Sequence, residues 1–486
     1  MSWLDAAVPV RMKRVALVAA DESLRDMLVR VAAAAAVEIG PAAGGEGISG
    51  PADTEAGGAA ARRLQRAGHP ADAALSVERP DLDALERTGR YGLLAGEAQL
   101  EAYAAGAVRR AGACALAGWI PANRLGEVAT SLAEVGGAVV SLSYPRGVQP
   151  PTLVAGRPLR RTVSPLVQTY GTVPYADIDP AWLAWGAYVL MFGMMFGDAG
   201  EGAALLGVAA ALRAGWPGWA RRFRQAWPFV GGAGLAATVF GLLYGECFGP
   251  TGLVPTIWLS PLDHPLTLLL VAVGIGAGLL AVAYVLGTIN RWREGGWAAA
   301  LYAPSGIAGT TVFVGIGAMA GGWYWHQDLL LAAGGVVALA GLALAAVGFL
   351  ADAGGGAAGR FQASIELFDL VVRLGSNVVS FTRLAAFGLT HAALGLIVWE
   401  GTRALWRHGG LLTVAAVAVF AAGTALAFSL EALVAAIQAL RLEYYELFSR
   451  VFVTQGRPFR PWHLPTVPSP AAAAEIPAAG LRKEST

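Results

Sequence analysis

The chain has 486 residues, of which 56% are hydrophobic and 14% are charged, whereas roughly 25% of the residues in an average soluble domain are charged. This composition excludes an ordinary soluble enzyme. The formal net charge of +1 excludes the strongly basic surface of a nucleic-acid-binding protein, so no nucleic-acid partner is expected. The two cysteines, Cys114 and Cys247, lie far apart without metal-ligand spacing. Neither a disulfide framework, a metal site nor a cofactor is predicted.

Residues 1–150 are predicted to form a small α+β lobe, because polar and apolar positions alternate there with the periods of short strands and helices. The predicted strands are Arg14–Ala19, Ala36–Ile39, Cys114–Ile120 and Ala138–Ser143, and the predicted helices are Glu22–Ala35, Leu82–Arg110 and Pro121 to about Val135. No phosphate-binding loop or catalytic cluster is recognisable in this sequence. Residues 151–180 are predicted to be a linker.

From residue 181 to about 455 the chain consists of apolar runs, and a spanning helix needs about 20 apolar residues. The first two of about eight runs are short and are separated at Gly197-Asp198. The runs are Trp182–Phe196, Ala199–Leu212, Phe229–Glu246, Leu266–Ile289, Trp297–Met319, Leu329–Leu350, about Ile365–Trp406 and about Leu411–Phe452. We predict an α-helical polytopic membrane protein with two long, tilted helices at the end, followed by a cytoplasmic tail over residues 456–486.

The distribution of arginines predicts which loops are cytoplasmic, because short cytoplasmic loops carry an excess of Lys and Arg. The arginines after the second, fourth and sixth runs are Arg213, Arg221, Arg222, Arg224, Arg291, Arg293 and Arg360. The opposite loops, residues 247–265 and 321–328, contain no Lys or Arg, and only the outer turn with Arg403 and Arg407 departs from this pattern. No signal-peptide pattern precedes the lobe. Both termini are therefore expected in the cytoplasm.

Ionisable residues inside the last two runs are the most informative feature of the sequence, because a charge near the bilayer centre is costly and normally faces protein or water. Arg383 and His391 are eight positions apart, which is about 80° round a helix and roughly 12 Å along it. Glu431, Gln438 and Arg441 occupy a similar arc of the following run. The two polar stripes predict two offset ion pathways, separated by the arginines.

Four acidic residues near the cytoplasmic ends of these runs have two interpretations. Glu366 and Asp369 either belong to a pathway on the cytoplasmic side of the arginines or are solvated helix ends. Glu443 and Glu446 have the same alternatives, and either of them is a potential ion-pair partner of Arg441. The sequence alone leaves these alternatives open.

Packing is the alternative at three other polar positions. Asp198 and Glu201, in Phe196-Gly-Asp-Ala-Gly-Glu-Gly202, either mark the break between two short helices or take part in transport. His391 taken alone is interpreted as a packing residue, and the stripe that it shares with Arg383 favours a function. Because no acid lies within one turn of Arg383 in the sequence, we assign this arginine a functional role.

Several motifs follow one another between about residues 165 and 462. They are Tyr170-Gly171, Pro174-Tyr175 with Asp177-Ile-Asp-Pro180, Phe192-Gly-Met-Met-Phe-Gly-Asp-Ala-Gly200, Gly241-Leu-Leu-Tyr-Gly-Glu246 before Phe248-Gly249, Ser364 to Ala393 with Phe381-Thr-Arg-Leu-Ala-Ala-Phe-Gly-Leu-Thr-His391, Gln438-Ala-Leu-Arg-Leu-Glu-Tyr-Tyr-Glu446 and Gly456-Arg-Pro-Phe459. In this order they resemble the membrane subunit of rotary V-type and V/A-type ATPases, called subunit a or subunit I.

The resemblance implies a set of ion-translocating residues. They are Arg383, Arg441, His391, Glu431, Gln438 and Asp369. Arg383 is similar to the arginine that faces the rotor ring, Arg441 to the second membrane arginine, and Asp369 to an acid of the cytoplasmic half-channel. The other three resemble polar residues of the outer half-channel and the rotor interface.

The resemblance implies a subunit without a catalytic site that moves H⁺ or Na⁺ across a prokaryotic cell membrane. Its expected partners are a rotor ring of proteolipid c subunits and peripheral-stalk subunits, although its N-terminal region of about 180 residues is shorter than the two-lobed arm of the family. An autonomous secondary transporter or channel, and a structural paralogue without rotary coupling, are the alternatives. Neighbouring genes for a proteolipid and for nucleotide-binding subunits would favour the rotary function.

Overall fold

A computed structural model describes residues 9–40, 58–68, 72–143, 148–153, 173–354, 356–451 and 456–468. The described residues form two compact units. The first, called the lobe, draws on Pro9–Ala155 and Gly456–Thr486, and the second, called the membrane unit, draws on Gly156–Gln455. The Tyr170-Gly171 motif and most of the predicted linker lie outside the described residues. The functional boundaries proposed from the sequence at 150, 180 and 455 remain predictions.

The lobe contains a five-stranded antiparallel sheet. Its elements are β1 (Met12–Ala20), a 3₁₀ turn (Asp21–Ser23), α1 (Leu24–Ala34), β2 (Glu38–Ile39), α2 (Ala59–Ala67), β3 (Leu75–Ser76), α3 (Leu82–Arg87), α4 (Tyr91–Ala105), β4 (Val108–Arg110), β5 (Ala113–Pro121), α5 (Leu125–Ala133) and β6 (Ala138–Ser141). β1 pairs with β5 and β6, while β2 and β4 pair with β5; β3 lies outside this sheet. The two predicted strand–helix–strand units are confirmed.

One predicted helix of the lobe, Leu82–Arg110, is wrong in extent. The structure divides this segment into α3, α4 and the strand β4. α3 ends before Gly89, which has a φ of 68°, a left-handed conformation that glycine adopts without steric cost. A helical periodicity that continues through such a turn does not show the interruption.

The core of the lobe lies between the sheet and α1. Val15 and Leu17 alternate with more exposed residues along β1, and Leu17 lies opposite Leu116 of β5. From α1, Met27 and Leu28 are completely buried in the same cluster. Strand and helix periodicities therefore direct their apolar residues to one shared core.

The described part of the predicted tail packs into the lobe. A short strand, β7 (Thr466–Val467), pairs in parallel with β3. The Trp462 ring lies 4.6 Å from that of Tyr103 between centroids, and its Nε1 donates to Gln99 Oε1 at 3.2 Å. Residues far apart in the sequence therefore share one core, which local composition does not reveal.

The membrane unit consists mainly of apolar helices. They are α6 (Ala181–Met195), α7 (Ala199–Ala214), α8 (Trp227–Tyr244), α9 (Pro265–Tyr302), α10 (Ile307–Tyr324), α11 (Asp328–Asp352), α12 (Gly356–Ser380), α13 (Thr382–Arg407) and α14 (Leu411–Leu442). A 3₁₀ segment, Gly218–Ala226, precedes α8, and a π-helical segment, Glu443–Phe448, with a last helical turn, Ser449–Val451, follows α14. The chain is a multi-pass membrane protein.

Six segments in the described part of the chain are long and apolar enough to cross a membrane, where α12 and α13 together form one segment, Gly356–Arg407. The predicted count of eight is not confirmed, because α6 and α7 have 15 and 16 residues. Helices of that length extend about 22–24 Å, less than the roughly 30 Å hydrocarbon core. The two helices thus form the short pair that the sequence indicated, without the length of full spans.

Two further helix boundaries differ from the predicted runs. α9 continues to Tyr302, past a kink at Gly296, so it includes the beginning of the predicted fifth run. The predicted seventh run is divided into α12 and α13 next to Phe381. Phe381 is fully buried, and a Cβ atom at Gly276 would lie 2.1 Å from its ring. Close packing of α9 against this junction therefore positions the beginning of α13.

Candidate functional site

α13 and α14 pack against each other as an antiparallel pair and carry most of the candidate residues. Gly409 and Gly410 join them with φ values of 67° and 61°, a conformation that is costly for residues with a Cβ. The antiparallel pairing places the beginning of α13 beside the residues that follow α14. Arg383 consequently reaches Glu446.

A cluster around His391 lies farther along the two helices. His391 Nδ1 contacts Glu431 Oε2, and His391 is 6% exposed. Glu201 of α7 approaches the same pair, so that one ligand atom from each of the three residues lies within 4.8 Å of the others. We call Glu201, His391 and Glu431 the histidine cluster. The sequence predicted His391 and Glu431 on the polar stripes of the last two runs, and the structure brings these two residues together.

Asp198 positions Glu201 by capping α7. Asp198 Oδ1 accepts hydrogen bonds from the backbone N–H groups of Glu201 and Phe248, each at 2.9 Å, and Oδ2 accepts from that of Gly249 at 2.7 Å. A Cβ at Gly241 would lie only 2.0 Å from the backbone nitrogen of Ala199, so α8 packs directly against this cap. Asp198 therefore marks the helix break, as one of its two interpretations stated.

Glu201 is the site residue that local sequence reasoning undervalued. An acid three positions after an N-cap commonly folds back to the cap in a capping box, and Asp198-Ala-Gly-Glu201 has this spacing. Glu201 is only 4% exposed, and its Oε2 has no hydrogen-bond partner among the described residues. Glu201 instead approaches His391 and Glu431 of the histidine cluster, a long-range contact that the capping pattern does not disclose.

A second cluster surrounds Arg383. Its Nη2 donates to Glu446 Oε1 at 3.3 Å. With its amide oriented to satisfy its neighbours, Asn377 donates to Glu446 Oε2 at 3.0 Å and accepts from Arg450 Nη2 at 2.7 Å. The Arg450 guanidinium lies over the Tyr284 ring, 5.6 Å from its centroid. We call Arg383, Glu446, Asn377 and Arg450 the arginine cluster.

Glu443 and Glu446 correct one interpretation of the sequence. They are not solvated helix ends, because they are 0% and 8% exposed. Glu446 pairs with Arg383 rather than with Arg441, which is exposed. The π-helical segment changes the side-chain register of the α-helix, and such segments are frequent at functional sites. An extrapolated α-helical period therefore misplaces these two side chains.

The other predicted site residues belong to neither cluster. Asp369 forms an ion pair with Arg373 one turn later on α12, and both side chains are substantially exposed. Gln438 is half-buried, and its Oε1 has no hydrogen-bond partner in the described part of the chain. Arg441, one turn beyond Gln438, is exposed. The structure thus joins two of the six predicted residues directly and leaves the others apart.

The Asp177 motif has a structural role at the entrance to α6. Asp179 Oδ1 accepts from Ala181 N at 3.0 Å, and the Ile178 N–H donates to Asn290 Oδ1 at 3.0 Å. Asp177 is completely buried, and both of its oxygens lack a hydrogen-bond donor among the described residues. Burial, together with the neighbouring Glu294 carboxyl, raises the pKa of Asp177 far above the usual carboxyl range.

The chain is similar to known proteins over much of its length. The V-type ATPase 116kDa subunit family matches residues 107–249. An A-type ATP synthase subunit I from Thermococcus kodakarensis is 25% identical over 368 residues, which are 72% of this chain and 54% of the relative. The A-type ATP synthase subunit I of Pyrococcus abyssi is 29% identical over 314 residues, covering 61% of this chain and 45% of the relative.

A bacterial protein extends these similarities. The V-type ATP synthase subunit I 2 of Treponema pallidum is 30% identical over 150 residues, covering 27% of this chain and 32% of the relative. The chain is therefore similar to subunit I of A-type and V-type ATP synthases. The resemblance recognised in the ordered motifs is thereby confirmed. The chain spans about half the length of the subunit I relatives that it matches over the longest stretches.

Proposed function

We propose that this subunit I relative is the ion-translocating stator subunit of a rotary V/A-type ATPase. In this proposal it forms two half-channels for H⁺ or Na⁺ beside a rotor ring of carboxylate-bearing proteolipid c subunits. It has no catalytic site of its own, and ATP synthesis or hydrolysis takes place on other subunits. The relatives support this proposal because their names identify them as subunits of ATP synthases.

The observation that carries the proposal is the position of Arg383. Its side chain is 28% exposed at the start of a membrane helix, and it forms an ion pair with the buried Glu446. A guanidinium that is both fixed and accessible is suited to meet a passing carboxylate. At about 4 Å and an effective dielectric constant of about 20 the attraction is about 4 kcal/mol, which favours the ionised carboxylate and hence ion release.

α14 carries an exposed apolar face that suits contact with a rotor ring. Leu426, Leu430 and Leu433 are 62%, 56% and 60% exposed and are spaced as neighbours on one helical face. An apolar helix face of this kind suits contact with the apolar helices of a proteolipid ring or with lipid. Arg383 would then be the charged residue beside an otherwise apolar sliding surface.

The two half-channels are assigned to opposite sides of Arg383. We place the histidine cluster and Gln438 in the outer half-channel, and Asp369 in the cytoplasmic one, with Arg441 beside the rotor interface. The assignment of sides depends on the arginine-rich loops, which are expected to be cytoplasmic. With six or eight spans the chain returns to its starting side, so both termini and the lobe are proposed to be cytoplasmic in a prokaryotic cell. The lobe would contact peripheral-stalk subunits.

ATP-driven ion pumping by the assembled complex tests this function. Arg383→Ala should abolish pumping, and Arg383→Lys should impair it, because a lysine is more strongly hydrated and can lose its proton when desolvated. Arg403→Ala is the matched control, since Arg403 lies on the same helix, is exposed and pairs only with the nearby Glu400 in the described contacts. Assembly is verified by native gel electrophoresis of the complex.

Two outcomes would separate the alternatives. Near-normal pumping by assembled Arg383→Ala complexes would contradict the rotary mechanism and favour a structural paralogue. Ion flux by the purified chain alone, without rotor subunits, would favour an autonomous transporter or channel. Loss of pumping in Arg383→Ala with normal pumping in Arg403→Ala supports the stator function.

A further inference from the structure

The histidine cluster has the donor set of a transition-metal site. One nitrogen of His391 and one carboxylate oxygen from each of Glu201 and Glu431 lie within 4.8 Å of one another. The three residues come from α7, α13 and α14, so tertiary packing rather than local sequence assembles them. Imidazole nitrogen together with carboxylate oxygen is a common combination at protein Zn²⁺ sites.

The same three side chains also line one small, partly open cavity. The cavity is bounded on other sides by Phe248, Gly395 and Thr424. Only 4% of the Glu201 surface is exposed. Among the described residues, neither Glu201 Oε2 nor Glu431 Oε1 has a hydrogen-bond partner. Buried carboxylate oxygens without partners are energetically costly. A single cation within the cavity would satisfy both.

The charge of the surroundings favours a divalent cation. Glu246 is 4% exposed, and Asp198 is fully buried near the same imidazole. In the described part of the chain, no Lys or Arg side chain forms an ion pair with Glu201, Glu246 or Glu431. Several carboxylates thus surround a single imidazole, and a 2+ ion would offset their repulsion.

An alternative set of ligands, Asp198, Glu246 and His391, is less suitable. Asp198 already accepts three backbone N–H groups through its two oxygens. Coordination by Asp198 would compete with the cap of α7, whereas the free oxygens of Glu201 and Glu431 are available. Glu246 then contributes negative charge nearby.

We infer that Glu201, His391 and Glu431 form a binding site for a divalent transition-metal cation of the Zn²⁺ class. The ion would take the place of the proton between His391 and Glu431, and that proton would leave to solvent, so binding weakens as pH falls. Ca²⁺ and Mg²⁺ fit less well, because they prefer six or more oxygen ligands. If the proposed half-channel is correct, an occupied site would also block ion flux; binding itself does not depend on that function.

Direct binding measurements on the full chain in lipid nanodiscs test the inference. ZnCl₂ titrated by calorimetry should give one high-affinity site, and CoCl₂ should give the intense visible absorption of a four-coordinate ion with an imidazole ligand. Loss of a residue that only hydrogen-bonds to a metal ligand lowers metal affinity roughly 10–100-fold. Glu201→Gln and Glu431→Gln each remove a ligand itself, so each should weaken Zn²⁺ binding by about 100-fold or more.

Glu400→Gln is the matched control for lost surface charge. Glu400 lies on α13, its side chain is 55% exposed, and it pairs with Arg403 at 3.1 Å. This variant should retain wild-type Zn²⁺ affinity. Thermal unfolding of each variant reports whether it is folded, and the wild-type Co²⁺ spectrum decides the question even where a variant unfolds.

Three results would overturn the inference. They are absence of a high-affinity site in the wild-type chain, equal Zn²⁺ affinity in wild type and folded Glu201→Gln, and a weak Co²⁺ spectrum typical of surface-bound octahedral ions. Normal ATP-driven pumping without metal binding would overturn this site alone. Metal binding by a chain whose assembled complex does not pump even after the metal has been removed with EDTA would overturn the proposed function and leave the site intact.

Discussion

His391 and Arg383 lie on the same helix, α13, yet the charges of the histidine cluster and the arginine cluster are balanced in opposite ways. In the arginine cluster, Arg383 donates to Glu446, and Asn377 links Glu446 to Arg450 by donating to the first and accepting from the second. In the histidine cluster, Glu201 and Glu431 keep oxygens without partners in the described part of the chain. The first arrangement holds a positive charge in place, and we propose that the second is an exchangeable site, which accepts and releases a cation. A fixed charge beside such an exchangeable site is what the proposed ion path requires.

Among substitutions of the acids in and near the two clusters, the largest effect is expected from neutralising Glu431 in the exchangeable site. Glu431→Gln removes the acid that contacts His391, and loss of a proton-transferring group typically costs about a hundredfold or more in rate. ATP-driven pumping should fall to this extent while the complex still assembles. Unchanged pumping would return Glu431 to a packing role, and Glu400→Gln on α13 serves as the exposed control.

A smaller effect is expected from weakening the support of the fixed charge. Glu446→Gln keeps the shape of the side chain but removes the charged acceptor of Arg383. Hydrogen bonds to charged groups contribute about 1.5–3 kcal/mol, and the partial exposure of Arg383 lowers the expected loss of unfolding free energy to about 1 kcal/mol. Pumping should be reduced but measurable. A variant as inactive as Arg383→Ala would show that Glu446 itself takes part in translocation.

The smallest effect concerns Asp177, an acid outside both clusters. Its pKa is raised by burial and by Glu294, so the folded chain holds a proton that the unfolded chain releases above about pH 4. This contribution to stability is complete below that pH and is lost as pH rises through the raised value. Asp177→Asn should therefore flatten the decline in melting temperature between about pH 4 and the raised pKa of about 8. A decline as steep as in wild type would contradict the assignment.

The periodicity of the sequence predicted the secondary-structure elements and the residues that share one helix face. Strand and helix periods gave the paired strand–helix–strand units of the lobe, and spacing placed Arg383 and His391 on one stripe. Glu446, the partner of Arg383, lies in a π-helical segment, and Glu201, the neighbour of His391, follows the N-cap of α7. Both residues come from other parts of the chain. The contact of Trp462 with Tyr103 spans most of the chain. Such long-range contacts follow from packing, which the periodicity of a single sequence does not encode.

The most direct test of two separate half-channels is to determine from which side of the membrane each one can be labelled. In a Cys114→Ser, Cys247→Ser background, Asp369→Cys and Glu431→Cys are treated in oriented vesicles with a small membrane-impermeant thiol reagent. If the two half-channels are separate, position 369 should react only from the side on which ATP is hydrolysed, and position 431 only from the opposite side. Reaction of both positions from one side, or of either position from both sides, would contradict two separate half-channels.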